Sequence, residues 1–485
     1  MRRLCLLALL ALLALLALPW CAAAAPPQDQ WFTVLLDGRK IGSFESKREP
    51  TGEQVVTTQK LDLVLDRAGI RVALGSSEAS TETKDGAPLG FRSASQLSGS
   101  ETVIEGSVRG DTIQISTQGA GADAQQRRMA WPKGALLPEG LRLAGIRAGL
   151  KPGTKYQALA FQPSSLDAAE VSSIVHAKED VDLPGGRRNL TLVEQTIAYP
   201  GAPMKTRAWL DEDQTIYKLT MPVMGVELTL LACERACATA PNQDSDVFER
   251  TLMPSPRALD TSELAGTMRY TLTPRERGLA LNLPDTDEQQ VAHKGDRVEV
   301  TIQRMAAAHS EKKPDKDDFA ANDWLQSDAP EVRSLAERAA GMTGTPRERM
   351  LRIETFVRGF IRNKTLGVGY ASALEVTRKP EGDCTEHAVL VAALGRSIGI
   401  ATRVVDGLVY APGFAGKQQV FVPHAWAQAW VDGRWQSFDA ALMGFDAGHI
   451  ALSVGDGDPW RFYAGLDLLG RIDLRKAEAV GVAIP

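Results

Sequence analysis

The chain has 485 residues, of which 44% are hydrophobic and 24% are charged, and its formal net charge at pH 7 is −5. This composition is typical of an ordinary globular protein, and the length suggests two or three domains with sizeable cores. The mild negative charge and the lack of a basic block argue against nucleic acid as a partner.

Residues 1–25 predict a secretory signal peptide. Two arginines precede an almost unbroken Leu/Ala run, and small residues close it. The alternative is a permanent membrane anchor, but the run from Leu4 to Pro19 is short for a spanning helix, which needs ~20 apolar residues. A lipoprotein signal would use Cys21, but Trp20 is bulky where such signals need a small residue. We therefore predict a periplasmic or secreted protein with no stable membrane insertion once the signal is removed.

Residues 26–245 predict a β-rich domain. The segment WFTVLLDGRKIGSF places Asp37-Gly38 between two apolar strands, which is a strong hairpin signal. The segment TVIEGSVRGDTIQIS repeats this form, and residues 187–231 read as three or four more strands. Turn residues recur at intervals that are typical of a barrel or a sandwich.

The cysteine count points to one unpaired thiol. Of the five cysteines, Cys5 and Cys21 leave with the predicted signal peptide. Cys233 and Cys237 lie close together in ACERACATAP, and we predict a disulfide between them. A metal site of the C-x3-C type is the weaker alternative, because no His or further Cys lies nearby. Cys384 then remains without a cysteine partner.

After the β-rich domain the pattern changes twice. Residues 246–310 contain the strand-like segments GTMRYTL, GLALNL and DRVEVTIQR, which predict a small β module or an extension of the first domain. Residues 311–321 are highly charged and suit a linker. Within residues 322–485 the period becomes helical after Ala329, and Thr345-Pro346 opens an amphipathic helix. The last segment therefore predicts a separate α+β domain.

The lone cysteine falls at a predicted helix start. Asp383 and Glu386 fit the N-cap and N3 positions of a capping box, so Cys384 becomes the first helical residue, in a helix that closes near Gly399. A thiolate there meets backbone N–H groups and the positive end of the helix dipole, while the two carboxylates oppose it. A cationic partner is needed for a nucleophile, and a buried, inert cysteine is the alternative.

The segment HAWAQAWVDGRWQSFD predicts a hairpin around Asp432-Gly433. A two-residue turn places Trp426 opposite Asp439, so that Asp439 lies diagonal to His424 on the same face, roughly 7–8 Å away between backbones. A carboxylate at that position can hold one imidazole nitrogen while the other faces the thiolate. A Trp-rich hairpin is also a common core element, so geometry alone leaves both interpretations open.

The three motifs GDCTEHA, HAW and GRWQSFDA, in this order and spacing, resemble the transglutaminase-like superfamily. The resemblance covers residues 322–485 and implies a papain-like fold with a Cys at a helix start and His and Asp on neighbouring strands. Residue by residue, it implies that Cys384 is the nucleophile, His424 the base and Asp439 the residue that orients the base. The segment RVVDGLVY matches the strand that the family places between the Cys helix and the His strand.

Further site residues are assigned more loosely. The backbone N–H of Cys384 is a natural oxyanion donor, and Tyr370 is a candidate for a second donor. Trp426 shares the face of His424 and shields the catalytic pair or simply packs. His387, three residues after the cysteine, is favoured as a supporting or solvent-facing residue over a catalytic one. We expect no metal and no cofactor.

The predicted function is cysteine-dependent acyl transfer on protein, peptide or cell-wall peptide amides. Hydrolysis is slightly favoured over amine crosslinking, because water is the default acceptor in an aqueous compartment. Gln428 and Ala440 depart from residues that many members of the family carry, which leaves the acceptor open. The alternative is a binding or scaffold protein in which the β-rich domain does the work beside an inert transglutaminase-like module.

Overall fold

The computed structural model describes residues 28–67, 70–97, 100–119, 124–198, 203–223, 226–243, 248–303, 311–366, 370–457 and 468–481. The chain divides into two compact units, and the boundary between them falls after Asp246. We call them the N-terminal unit and the C-terminal unit. The predicted signal peptide, residues 1–25, lies outside the described residues. Within those residues, no helix is both long and apolar enough to cross a membrane.

The N-terminal unit is a single 15-stranded sheet, which confirms the prediction of a β-rich region. Its strand order is β8-β7-β6-β5-β4-β3-β2-β1-β15-β14-β13-β12-β11-β10-β9, and neighbours are antiparallel except β9 and β10. The strands are β1 Gln28–Leu36, β2 Arg39–Thr51, β3 Gln54–Arg67, β4 Ile70–Thr83, β5 Pro88–Leu97, β6 Ser100–Arg109, β7 Thr112–Gln118, β8 Gln125–Ala130, β9 Ala135–Leu136, β10 Lys155–Gln162, β11 Asp167–Val181, β12 Arg188–Ile197, β13 Met204–Leu210, β14 Ile216–Val223 and β15 Val226–Cys233.

Local sequence explains several features of this sheet. Asp37 and Gly38 both have positive φ, 50° and 78°, as the predicted two-residue hairpin between β1 and β2 requires. Residues alternate between buried and less buried along β4, which is the period of a strand with one face in a core. The disulfide predicted between Cys233 and Cys237 is present, and it joins the end of β15 to the short helix α2, Arg235–Ala238.

Helix α1, Pro138–Ala148, is attached to the sheet by a buried carboxylate. Glu82 accepts hydrogen bonds from the backbone N–H groups of Glu139 and Gly140, at 2.7 and 2.8 Å. An anion at this position satisfies donors that the first turn of a helix leaves open. Burial nevertheless raises the pKa of Glu82 to about 7.

The described part of the C-terminal unit combines helices with three sheets, of which the smallest is the parallel pair β20-β21. A five-stranded sheet has the order β16-β23-β22-β25 with β24 paired to β23, and a four-stranded sheet has the order β18-β19-β17-β26. The helices are α3 Phe248–Thr251, α4 Thr261–Leu264, α5 Pro330–Ala340, α6 Pro346–Phe360, α7 Ala373–Arg378 and α8 Cys384–Ser397, with a 3-10 turn at Lys316–Asp318. The strands are β16 Met253–Pro254, β17 Thr267–Pro274, β18 Gln289–Lys294, β19 Arg297–Gln303, β20 Asn363–Lys364, β21 Glu381–Gly382, β22 Thr402–Phe414, β23 Lys417–Val431, β24 Arg434–Phe438, β25 His449–Gly455 and β26 Ile472–Ala479.

The structure differs from the expected treatment of residues 246–310. Strand β17 pairs with β26, with Tyr270 opposite Ala477, so these strands belong to the C-terminal unit rather than to a separate module or to the first domain. GLALNL is not a strand: Leu281 and Leu283 are buried in the core of this unit, but the backbone there has no ladder partner among the described residues. The alternation of apolar residues in this segment therefore reflects burial of its leucines and does not indicate pairing with another strand.

Residues 311–321 also differ from a free linker. Glu311 forms an ion pair with Arg403 of β22 at 2.7 Å, and the carbonyl oxygen of Lys312 accepts a hydrogen bond from the indole of Trp435 in β24 at 3.2 Å. Most other side chains of the segment are exposed, which explains its polar composition. The segment is thus charged because most of its side chains are exposed to solvent, although it contacts β22 and β24 of the five-stranded sheet.

Helix α8 lies at the centre of the C-terminal unit. Its apolar run from Ala388 to Leu394 is buried, and the helix packs on β22 and β23 and on helices α5, α6 and α7. Helix α6 is amphipathic, as predicted, and buries Met350, Ile353 and Val357 in the same core. The residue that begins α8 is therefore held by a helix that is buried over most of its length.

Candidate active site

The lone cysteine begins α8 through the predicted capping box. The Asp383 carboxylate accepts from the backbone N–H of Thr385 at 3.0 Å, and the Glu386 carboxylate accepts from the backbone N–H of Asp383 at 2.8 Å. Cys384 is the first helical residue, is partly exposed, and is the free cysteine of the described chain. Its Sγ lies 3.8 Å from Oδ1 of Asp383. The thiol thus stands at the helix N-terminus, where the sequence predicts it.

The hairpin of β23 and β24 has the predicted register. Val431 pairs with Arg434 and Ala427 with Phe438 across the Asp432-Gly433 turn, so the chain reaches Asp439 one residue after β24. Nε2 of His424 lies 2.8 Å from Oδ2 of Asp439.

Both partners of this pair are almost completely buried. The exposed fractions of His424 and Asp439 are 6% and 1%. Since the pair is shielded from water, its attraction is strong and its geometry is fixed.

Three of the predicted site residues form one charged group. Burial alone would lower the pKa of His424, but the Asp439 carboxylate and the hydrogen-bonded Cys384 thiol raise it to about 10. The two imidazoles that contact Asp439 hold the pKa of that carboxyl well below its usual range despite its burial. An ionised carboxylate only accepts hydrogen bonds, so Nε2 of His424 carries a proton and Nδ1 is left for the sulfur. The sulfur of Cys384 thus lies beside an imidazole whose pKa is raised.

Backbone groups and helix α6 fix the other side of Asp439. Its Oδ1 accepts from the backbone N–H groups of Ala441 and Leu442, at 2.8 and 3.2 Å. Its own backbone N–H donates to the buried Glu354 carboxylate of α6 at 2.9 Å. Arg358, one turn further along α6, donates to the carbonyl oxygen of Asp439 at 3.2 Å. The carboxylate is therefore oriented before any substrate binds.

His449 is a member of this group that the sequence analysis left unassigned. It begins β25, on the other side of β22 from β23, and its Nε2 lies 3.0 Å from Oδ2 of Asp439. The charges of Asp439 and Asp446 raise its pKa against the effect of burial. Its only sequence signal is an acidic residue three positions before a histidine at a strand start, which is too weak to predict contact with Asp439.

The buried carboxylate of Glu288 is hydrogen-bonded to the β23–β24 hairpin. Glu288, in the segment before β18, accepts hydrogen bonds from the backbone N–H and the hydroxyl of Ser437. The Ser437 hydroxyl oxygen accepts from the indole N–H of Trp426 at 3.0 Å, and the Trp426 ring lies 6.3 Å from that of His424. Burial raises the pKa of Glu288 to about 7. Trp426 therefore packs beside the imidazole and is itself held through Ser437.

One group of described residues has the composition of a metal site. Ligand atoms of His424, Asp439 and His449 lie within 4.8 Å of one another. Both Nε2 atoms, however, are directed at the same carboxylate oxygen at hydrogen-bond distance. The Cys384 thiol takes up the remaining side of His424. Hydrogen bonding accounts for each of these contacts.

Residues 333–440 match the model of the transglutaminase-like superfamily, Transglut_core. These residues form a transglutaminase-like domain. The matched segment contains Cys384, His424 and Asp439, and it supports a cysteine-dependent enzyme in general terms without distinguishing hydrolysis from crosslinking. No curated protein matches the chain.

Solved structures resemble parts of the chain distantly. A β-barrel-like protein of unknown function from Brucella abortus is 12% identical, with 44% of this chain and 98% of that chain covered and a TM-score of 0.34. A candidate cysteine protease from Cytophaga hutchinsonii is 14% identical, with 47% and 84% covered and a TM-score of 0.28. A candidate protease from Parabacteroides distasonis is 12% identical, with 74% and 69% covered and a TM-score of 0.20.

The other site predictions fall around the transglutaminase-like domain in different ways. The Tyr370 hydroxyl donates to the carbonyl oxygen of Gly457, and its ring packs on Trp324, so the structure commits this hydroxyl to a structural bond. His387 is buried, and its Nδ1 donates to the carbonyl oxygen of Asp383 at 2.6 Å, while Nε2 has no partner among the described residues. Burial lowers the pKa of His387. It therefore stands as a neutral ring beneath the start of α8, and a solvent-facing position is ruled out.

Proposed function

We propose that the protein is a periplasmic cysteine-dependent enzyme that cleaves peptide or side-chain amides through a thioacyl intermediate. The observation that carries the proposal is the hydrogen-bonded series Cys384, His424, Asp439, in which a thiol at a helix N-terminus contacts an imidazole held by a buried carboxylate. The predicted signal peptide motivates the location. The match to the transglutaminase-like superfamily supports the reaction class.

Acylation uses the thiolate as nucleophile and the imidazolium as acid. Cys384 Sγ attacks the carbonyl carbon of the amide and forms a C–S bond, and the carbonyl oxygen becomes an oxyanion beside the helix N-terminus. The intermediate collapses with cleavage of the C–N bond, and His424 gives its proton to the departing nitrogen. Asp439 keeps the imidazole in the required orientation throughout. The products are a thioester on Cys384 and a free amine.

Deacylation reverses these roles with water. His424, now neutral, takes a proton from water, whose oxygen attacks the thioester carbonyl. The C–S bond breaks, the carboxylic acid product leaves, and the thiolate and imidazolium are restored. An amine in place of water would give a crosslinked amide. Hydrolysis is the form that we propose, because water is always present at high concentration.

Alkylation of the thiol across pH tests the reactive pair. Iodoacetamide should label Cys384 of the wild-type protein at pH 6, because the imidazolium of His424, with its pKa raised to about 10, stabilises the thiolate there. His424→Ala should label only near pH 8.5, the range of an ordinary thiol. Cys384→Ser is the blank, since Cys233 and Cys237 are joined in a disulfide. Equal labelling of wild type and His424→Ala at every pH would contradict the enzyme and favour an inert module.

Mass spectrometry of the trapped intermediate tests the substrate class. Wild-type protein incubated with a periplasmic extract and quenched in acid should carry an acyl group on Cys384, and its mass identifies the donor. Cys384→Ser should carry none. Addition of glycine ethyl ester separates the two acceptors: hydrolysis predicts free acid as the main product, whereas a dominant amide would overturn it in favour of crosslinking.

A further inference from the structure

Oδ2 of Asp439 receives two imidazoles. Nε2 of His424 lies 2.8 Å from it and Nε2 of His449 lies 3.0 Å from it. Because the carboxylate is ionised and only accepts, each of these nitrogens donates a proton. A carboxylate oxygen has lone pairs for two donors, so both bonds coexist on one atom. The residue that orients the catalytic base is thus shared with a second histidine.

The His449 ring has no freedom to leave this position. Its Nδ1 lies 3.1 Å from the carbonyl oxygen of Asp446 and 3.0 Å from its Oδ1. Trp426 and Phe445 pack on the ring, with centroids 5.2 and 4.9 Å away.

The turn that carries His449 is itself anchored. Tyr270 donates from its hydroxyl to the carbonyl oxygen of Ala447 at 2.7 Å, and Leu264 accepts from the backbone N–H of Ala447 at 2.8 Å. The contact between His449 and Asp439 is therefore imposed by the fold.

We propose that His449 is a positioning residue of the acyl-transfer centre, which, by donating a second hydrogen bond to Oδ2 of Asp439, limits how tightly that carboxylate holds the proton of His424. The inference rests on the proposed function, because it concerns the acid that protonates the departing amine. An imidazolium that is held too tightly is a poor proton donor. The second bond divides the acceptor strength of one oxygen between two rings and so keeps the proton of His424 transferable.

The groups that face the two rings come from several elements. Cys384 of α8 and Asp406 of β22 act on His424, in addition to Asp439, and Asp446 acts on His449. Removal of His449 leaves each of these in place and returns the full charge of Oδ2 to His424. Removal of His449 should therefore raise the proton affinity of His424. Loss of a histidine with a merely structural role would not produce this rise.

Kinetics of two variants separate donation from packing. His449→Met fills the space without a donor, and it should lower kcat for acylation roughly 10- to 100-fold, with KM within about twofold. His449→Gln retains an N–H at a similar reach and should recover most of the loss. His293→Gln, at an exposed histidine on β18, is the matched control and should equal wild type. Equal activity of the Met and Gln variants would overturn the proposal.

A double-mutant cycle tests whether His449 acts through Asp439. In the Asp439→Asn background the His449→Met change should have little further effect on kcat, because the shared carboxylate is gone. Effects that multiply would mean that His449 acts by another route and would reject the proposal. Thermal unfolding of each variant shows whether it folds. Activity that falls on dialysis against a chelator and returns with Zn²⁺ would reassign the three residues to a metal site.

A titration without substrate keeps the inference distinct from the proposed function. In Cys384→Ser, which lacks the thiolate, the ring nitrogens of His424 are followed by NMR in protein labelled with 15N-histidine and assigned with His424→Gln. Addition of His449→Met should make His424 bind its proton roughly tenfold more tightly. A proton affinity of His424 that stays the same or falls refutes the inference, even if the enzyme is active. If the proton affinity rises and the wild type cleaves no amide, only the proposed function fails.

Discussion

A glycine in the middle strand of the five-stranded sheet makes room for the site. Gly407 lies opposite His424 on one side and opposite Ala451 on the other. A Cβ there would lie 2.0 Å from the carbonyl oxygen of Ile450 and 2.9 Å from the Trp426 ring. The nearest atom belongs to the backbone, so it cannot simply swing aside.

We therefore expect Gly407→Ala to lower the free energy of unfolding of the C-terminal unit by about 1–3 kcal/mol and to slow Cys384 labelling at pH 6. Urea unfolding and iodoacetamide kinetics measure the two effects. Gly359→Ala is the control, because Gly359 is helical and a Cβ there meets nothing within 4 Å. That change should be neutral or stabilise α6 by up to about 1 kcal/mol. Equal stability of the Gly407→Ala and Gly359→Ala variants would contradict this account.

At the residue scale, local patterns predicted the positions of the three residues of the proposed triad. Cys384 follows from a capping box, and Asp439 follows from counting along a two-residue hairpin. His449 and Glu354 could not be predicted this way. They reach Asp439 from β25 and α6, and only the tertiary fold brings those elements to one carboxylate. Whether the three residues act as a catalytic triad stays a prediction until the labelling experiment is done.

At the scale of elements, one capping box does more than begin a helix. Glu386 accepts from the backbone N–H of Asp383 at 2.8 Å and also from that of Ala371 at 2.9 Å. The side chain is buried, and burial together with the charge of Asp383 raises the pKa of Glu386 to about 8. Glu386 thus connects the segment before α7 to the start of α8 by hydrogen bonds.

Removal of the Glu386 carboxylate should lower the free energy of unfolding considerably. Glu386→Ala removes the carboxylate that accepts from the buried N–H of Ala371 and the partly buried N–H of Asp383, and we expect it to destabilise the C-terminal unit by about 2–5 kcal/mol. Glu348→Ala removes the same N3 residue from the exposed capping box at Thr345 of α6, and it should cost only about 1 kcal/mol. Urea unfolding compares the variants. Similar losses would show that the second acceptor role of Glu386 contributes nothing.

Elements were predictable where their signals are local. The β1–β2 hairpin, the caps of α6 and α8 and the β23–β24 hairpin each follow from a few adjacent residues. The sheet to which β17 belongs was not predictable, because its partner β26 lies about 200 residues later in the chain. The two strands pair Tyr270 with Ala477. Strand β18 was not predicted at all, and the segment around Leu281 was wrongly predicted as a strand. Alternation predicts a buried face and says nothing about which strand, if any, lies alongside.

At the scale of the whole molecule, both units contain buried acids that ionise with difficulty. Among the described residues, burial is the first cause of a raised pKa at the partly buried Asp318 and at five buried carboxyl groups: Glu78, Glu82, Glu288, Glu386 and Asp406. Such a group binds its proton in the folded chain and releases it in the unfolded chain between its two pKa values. Stability therefore falls as the pH rises through that interval. His424, with its pKa raised to about 10, adds stability that is complete below its unfolded value and is lost toward pH 10.

The buried acids of both units and His424 of the C-terminal unit contribute with the same sign, whereas His387, whose pKa is lowered by burial, contributes with the opposite sign. The buried acids are the larger group, so the free energy of unfolding should decrease from pH 5 to pH 8 for both units. The carboxyl pKa of Glu82 and that of Glu288 are each raised from 4.5 to about 7, which bounds their individual contributions at about 3 kcal/mol. Glu288→Gln imitates the protonated acid toward Ser437 and should flatten the pH dependence of the C-terminal unit alone, and Glu82→Gln should do so for the N-terminal unit alone. Urea unfolding at four pH values, followed by hydrogen exchange to assign each transition to its unit, measures both slopes. A wild-type stability that rises over this interval, or a Glu288→Gln variant with the wild-type slope, would mean that these acids are ionised in the folded protein and that bound water or local opening offsets their burial.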